Sequence, residues 1–152
     1  MSDTIAVSSA GSAHFKALLL DYYYTRRADS AIGIGERFQM VKAYWGRSDL
    51  VKQNGDSGWL IDNIPPNFTN NDLVGKFAES NLICTRQGTT ITISIVLPES
   101  LLADNAVYNF NTLTLVDAEG KAFAVLCAQQ DTVYKGKTYT ILLTIEQKGV
   151  AE

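Results

Sequence analysis

The sequence predicts an α+β domain, with one N-terminal amphipathic helix packed on a mainly antiparallel β-sheet or sandwich of about six or seven strands. Three observations carry this expectation. From Thr89 to Gln147, hydroxyl and aliphatic residues alternate in runs separated by turn signals. Phe15, Leu18, Leu19, Tyr22 and Tyr23 follow the i, i+3, i+4, i+7, i+8 spacing of an apolar helical stripe. The chain has 152 residues, enough for one domain with one core.

Residues 1–8 read as a flexible tail, residues 9–147 as the domain and residues 148–152 as an exit segment. The helix is expected over about residues 10–29, with Ser8, Ser9 and Ser12 as candidate N-caps. Arg26 and Arg27 would oppose the helix dipole in its last turns, and Gly33 and Gly35 would end it. A strand over 36–46 follows, with Phe38, Met40 and Lys42 on one face and Gln39, Val41, Ala43 and Trp45 on the other. From Arg47 to Asn71 the chain is rich in Asn, Asp, Gly, Ser and Pro, which suits a functional or assembly loop. Within it, Trp59, Leu60, Ile61 and Ile64 make a short apolar patch before Pro65-Pro66.

Asn70–Ser80 reads as a short helical or turn segment. After a turn at Gln87-Gly88, Ile91, Ile93, Ile95 and Leu97 face the core opposite Thr90, Thr92 and Ser94. The next strand, about 107–117, places Tyr108 and Phe110 on one face and Leu113 and Leu115 on the other, a switch that signals a bulge or two covered faces. Asp117-Ala118-Glu119-Gly120 is a hairpin turn, after which Phe123, Val125 and Cys127 continue the sheet. Beyond a turn at Lys135-Gly136-Lys137, Tyr139, Ile141, Leu143 and Ile145 form the last apolar face.

Apolar residues make up 46% and charged residues 19%, which excludes the composition of a disordered chain. The net charge is −3 and the only tight basic pair is Arg26-Arg27, so there is no footprint for a nucleic-acid backbone. The longest apolar run is far short of the ~20 residues that span a membrane. Cys84 and Cys127 lie far apart and form no metal motif; buried free thiols are expected, with a cross-strand disulfide as the alternative.

No constellation points to catalysis. Ile32-Gly33-Ile34-Gly35 lacks the third glycine of a dinucleotide fingerprint, because position 38 is Phe38. His14, the sole histidine, has no ligand or triad partner at a recognisable spacing. Asp56, Asp62, Asp72, Glu99 and Asp104 read as turn formers and caps rather than as a glycosidase pair. The aromatics Tyr22, Tyr23, Tyr24, Tyr44, Trp45 and Trp59 could serve the core, a partner contact or a sugar platform. Three consecutive tyrosines on one helix force one ring off the core face.

Three pieces of the chain carry a family resemblance: HFKALLLDYYYTRRADSAIGIGERF, the aromatic-Gly stretch MVKAYWGRSDLV, and the strands from ITISIVLPES to TYTILLTIEQ. Together they resemble the phage tail-collar, or tail-fibre N-terminal, family. Leu97-Pro98-Glu99 matches the family's strand ending, and Leu115-Val116-Asp117-Ala118-Glu119-Gly120 matches its Leu-x-Asp-x-x-Gly turn. The chain departs from the family's Gly-Gly pair and acidic-Val/Ile-Gly tripeptide, where Ala106-Val107-Tyr108 and Asn111-Thr112-Leu113 stand.

The resemblance implies a structural module of a phage or prophage tail, docking a fibre to the baseplate, with no catalytic residues and no cofactor. It allows a homotrimer through the fibre, with baseplate proteins as partners. The residues expected to touch a partner are Tyr44, Trp45, Asp56, Trp59 and Phe68, which are aromatic or sit in the long loop. The alternative is a receptor- or glycan-binding module that uses the same aromatics.

Overall fold

The computed structural model describes residues 3–9, 15–53, 58–97, 102–136 and 139–146. Their elements run β1 (Thr4–Ser9), β2 (Phe15–Leu19), α1 (Asp21–Ala31), β3 (Met40–Arg47), β4 (Val51–Gln53) and β5 (Trp59–Ile61). A 3-10 turn at Asn70–Asp72 then leads to β6 (Val74–Gln87), β7 (Thr90–Val96), β8 (Val107–Asp117), β9 (Ala122–Tyr134) and β10 (Thr140–Glu146). Eight strands form one sheet in the order β1-β10-β7-β6-β3-β8-β9-β2, with every neighbour antiparallel. The end strands β1 and β2 lie beside each other, so the sheet curls into a nearly closed barrel. The fold is therefore mostly β with one short helix, which corrects the expected α+β class.

Long strands make the curl. In β6, residues 74–81 pair with β3 and residues 82–87 pair with β7, so one strand turns the corner between two half-sheets. β8 and β9 bend at a register shift between Phe110 and Thr112. That bulge is the one the switch from Tyr108/Phe110 to Leu113/Leu115 had signalled, and it lets Phe110, Leu113 and Leu115 all enter the same core. The Asn70–Ser80 segment is mainly strand, contrary to the expected helix or turn; Ala78, Ser80 and Leu82 alternate inward along it.

From residue 15 onward, the expected helix over residues 10–29 is instead a strand followed, after one extended residue, by a helix; residues 10–14 lie outside the described residues. In β2, Phe15, Ala17 and Leu19 pack inward, while Leu18 packs outward against a second apolar layer. A strand covered on both faces is apolar on both faces, and that mimicked a helical stripe. Leu20 is extended and fully buried; its N–H donates to the Phe123 carbonyl oxygen at 2.9 Å, and Asp21 N–H donates to Pro66 O at 2.9 Å. These bonds fix where α1 starts. Ser8 and Ser9, expected as caps, lie in β1, so the expected loose tail is partly an edge strand. Ser12 and His14 lie outside the described residues.

The inner core lies between the two half-sheets. Ile93 and Ile95 of β7, Ile141, Leu143 and Ile145 of β10, and Trp45, Phe110, Leu113, Leu115 and Leu126 of the opposing strands are all fully buried. The alternation in β7 and β10 follows the sequence expectation.

A second core lies outside the barrel wall. The segment 48–70 carries the two-stranded hairpin β4-β5 and lays Val51, Ile61, Ile64 and Phe68 over Val116, Val125 and Cys127. This explains why β8 and β9 are buried on both faces. Polar bonds pin both ends of the cover. Ser48 N–H donates to Asn111 Oδ1 at 3.0 Å, the Ser48 and Thr112 hydroxyls bond at 2.8 Å, and Asn70 Nδ2 donates to Gly120 O at 2.6 Å.

The β8–β9 turn is held by Asp117. Its Oδ1 accepts from the N–H groups of Glu119 and Lys121, each at 3.0 Å, and its Oδ2 accepts from the Tyr22 hydroxyl at 2.6 Å. Gly120, at φ +79°, takes the left-handed conformation that the turn requires. Asp117→Ala is expected to lower stability by about 3 kcal/mol, because three bonds to a buried carboxylate are lost at once. Urea denaturation checks this; Asp117→Asn, which keeps an acceptor oxygen, should lose clearly less.

Candidate partner-contact surfaces

The residues expected at a partner contact fall in different places. Trp45 is fully buried in the inner core, where its indole N–H donates to Ser80 Oγ at 2.8 Å. Its ring lies 4.9 Å from that of Phe110 and 5.7 Å from that of Tyr139. Phe68 is buried in the second core. Both side chains hold the fold together and present no ring to solvent. Tyr44 and Trp59 are half-buried against that same second core, so the cover segment brings them to one face. Lys76 Nζ sits 3.7 Å from the centre of the Tyr44 ring, and Lys76 and Lys42 both pair with Glu79. The hydrogen bond from Lys76, aided by Lys42, holds the Glu79 carboxyl below its ordinary range. Asp56 lies outside the described residues.

The three tyrosines of α1 divide as the helix geometry requires. Tyr23 is buried, Tyr22 is half-buried and Tyr24 is exposed. The Tyr22 hydroxyl donates to Asp117, the Tyr23 hydroxyl to the Asp3 carboxylate at 2.7 Å and the Tyr24 hydroxyl to the Asp3 backbone oxygen at 3.1 Å. Arg27 also pairs with the Asp3 carboxylate. Arg26 was expected to cap the helix dipole, but the helix runs on to Ala31 and has no base in its last turn. Arg26 is buried instead, and its guanidinium donates to the Ile34 and Glu36 carbonyl oxygens, bracing the loop after the helix. Gly33 and Gly35 follow the helix end, both with positive φ, as expected.

The candidate acids are accounted for structurally. Asp62 pairs with Lys52 at 2.9 Å, Asp104 pairs with Lys135 at 2.9 Å, and Asp72 closes a capping box with Thr69. Glu99 lies outside the described residues. Among the described residues no group of three or more His, Cys, Asp or Glu could hold a metal ion, and no helix is long and apolar enough to cross a membrane. Both cysteines are free. Cys127 is buried as expected, but Cys84 is exposed, which corrects its expected burial. Burial raises both thiols above their ordinary range.

Two surfaces remain that sequence reasoning did not single out. The first is the outer face of the half-sheet β1-β10-β7-β6. Its central rows are Ile83, Ser94 and Leu142, and Thr85, Thr92, Thr144 and Ala6. These rows carry no charge, and Ile83 is 59% exposed. The opposite half-sheet has the 48–70 segment over its outer face. The signal was present in the sequence: Thr and Ser alternate with buried aliphatics in β7 and β10, with too few charges for an ordinary solvated face. The second is a groove of about 520 Å³ at one end of the barrel, between α1, the loop before β3 and the β6–β7 hairpin. Arg27, Arg37 and Arg86 line it together with Phe38, Met40 and Ile91. Those arginines are scattered through the sequence, and only the barrel closure brings them together.

Comparison with known proteins bears out the resemblance to phage tail-fibre proteins. The family described as bacteriophage P1 tail fiber protein R matches residues 1–150. Tail fiber protein R of Escherichia phage P1 is 43% identical over 131 residues, which cover 86% of this chain and 91% of that protein. No solved structure matches. The chain belongs to the bacteriophage P1 tail fiber protein R family and is a phage tail-fibre protein, a component of the virion tail.

Proposed function

We propose that this protein is the docking module that joins a phage fibre to the tail baseplate. The observation that carries the reading is the outer face of the half-sheet β1-β10-β7-β6, whose central rows carry no charge and are covered by no segment among the described residues. A face of exposed Thr, Ser, Ile and Leu costs little to dehydrate, and a large flat contact can bury it permanently. The similarity to a tail fiber protein of Escherichia phage P1 supports a role within the tail. Assembly through the fibre as a homotrimer belongs to the same proposal. Tyr44 and Trp59, on the covered side of the barrel, are the other residues offered for contact, together with Asp56.

Co-sedimentation with fibreless tails tests the reading, with isolated host surface polysaccharide as the parallel sample. Saturable binding to tails alone is expected. Binding to polysaccharide alone would make the protein a receptor-binding module instead. Leu142→Glu, on the uncovered face, is expected to weaken binding by about tenfold or more. Surface substitutions of this kind usually change stability by less than about 0.5 kcal/mol. If Trp59→Ala weakens binding and Leu142→Glu does not, the contact lies on the covered side.

A further inference from the structure

We propose that the arginine-lined groove at the end of the barrel binds an acidic, apolar-centred segment of a partner protein. The inference rests on the docking reading only for where that segment comes from, namely another tail component.

The walls and floor of the groove differ in chemistry. Arg27, Arg37 and Arg86 reach it from α1, from the loop before β3 and from β6, while Phe38, Met40 and Ile91 supply apolar surface between them. Among the described residues no carboxylate lines it, although the chain as a whole carries a net charge of −3. A concentration of one sign against the sign of the whole molecule attracts the opposite charge locally. Asp3 partly balances Arg27 from behind, and the Arg86 guanidinium donates to the Gly88 carbonyl oxygen at 3.0 Å. Arg37 is exposed and has no hydrogen-bond or ion-pair partner among the described residues. Each guanidinium keeps N–H donors in a planar fork suited to a carboxylate.

The apolar floor narrows the choice of ligand. Phe38, Met40 and Ile91 suit a Leu or Phe side chain, which a polysaccharide or a phosphate backbone does not offer. A peptide with carboxylates flanking an apolar residue satisfies both parts of the groove.

The test is fluorescence anisotropy of the full chain with fluorescein-labelled peptide EELFEE, with QQLFQQ as the neutral control and polygalacturonate as an acidic polysaccharide. Saturable binding of EELFEE is expected, weakened by added salt, with QQLFQQ weaker by about tenfold. The double variant Arg37→Glu with Arg86→Glu is expected to lose a similar factor while its thermal unfolding stays close to that of the parent. Bound EELFEE should also slow the reaction of Cys84 with a thiol reagent, since that thiol lies on the groove wall. Equal binding by QQLFQQ, equal binding by the double variant, or no saturable binding of EELFEE would overturn the proposal. Binding of polygalacturonate in place of EELFEE would overturn it in favour of a glycan.

Co-sedimentation separates this inference from the docking reading. Parent protein that sediments with tails while the double variant does not ties the groove to docking. If both sediment, docking stands and the groove is not its contact. If neither sediments, docking fails and the peptide titration still decides the groove.

Discussion

Trp45→Ala is expected to cost about 3–5 kcal/mol, the largest loss from any single truncation in the inner core. Trp45 is fully buried in β3, and Phe110 of the neighbouring β8 and Tyr139, just before β10, bring their rings to it. Phe110 and Tyr139 are themselves edge-to-face at 5.4 Å, so the three rings form one packed group. Truncation opens a cavity that these rings can fill only by leaving their rotamers. It also leaves the buried Ser80 hydroxyl without the indole N–H that donates to it. A domain of this size has about 5–15 kcal/mol of net stability, so the variant would retain a fraction of it. Trp45→Phe keeps most of the packing and should lose clearly less. Urea denaturation followed by circular dichroism reads both. A Trp45→Ala protein within about 1 kcal/mol of the parent would mean that the ring is not at the centre of the barrel.

That expectation reverses the sequence reading of Trp45 as a contact residue, and the reason is physical. An aromatic next to a glycine in a polar neighbourhood looks the same whether it ends in a core or on a surface. The difference lies in partners distant in sequence: Phe110 and Tyr139 bring their rings to Trp45, and Ser80 brings the hydroxyl. The same holds for Phe68 and for the segment 48–70. Its Asn, Gly and Pro content suggested a functional or assembly loop, yet Val51, Ile61 and Ile64 cover a sheet face whose own apolar character was split between β8 and β9. By contrast β7, β8 and β10 were legible, because each carries its period within a few residues and ends at a turn with its own chemistry. The bulge in β8 was legible too, as a change of phase in that period. β2 was misread because its apolar residues Phe15, Ala17, Leu18 and Leu19 fall on both faces, so it shows no alternation, and the tyrosines after it supplied a helical period. The groove arginines had no sequence signal at all, since closure of the barrel sets their proximity.

Alkaline pH is expected to destabilise the fold steeply from about pH 10. Burial is the main cause that raises the hydroxyls of Tyr22, Tyr23 and Tyr139 above the ordinary tyrosine value of 10.0. For Tyr22 the hydrogen bond to Asp117 adds to the rise, for Tyr23 the bond to Asp3 does, and for Tyr139 the nearby charge of Asp131 does. Tyr139 is pushed up to about 12, and the other two are raised further. The folded state therefore holds these protons more tightly than the unfolded chain. Their contribution to stability is fully present below pH 10. Above it the unfolded state releases protons that the native state retains, so stability falls as pH rises towards the folded-state values. The slope is about 1.4 kcal/mol per pH unit for each of the buried Tyr23 and Tyr139, or roughly 3 kcal/mol for the two at pH 11 as an upper figure, and Tyr22, nearer solvent, adds less because water screens it. Cys127, also raised by burial, adds to the slope from about pH 9. Urea midpoints measured from pH 8 to 11.5 would show the fall. Tyr23→Phe should start lower at neutral pH, because the bond to Asp3 is lost, and then fall with a shallower slope by one proton. A midpoint that stays level to pH 11 would mean that the tyrosines ionise freely in the folded protein. In that case the clasp from α1 to Asp3 and Asp117, which ties the helix to the N-terminal strand and to the β8–β9 turn, would not persist in solution.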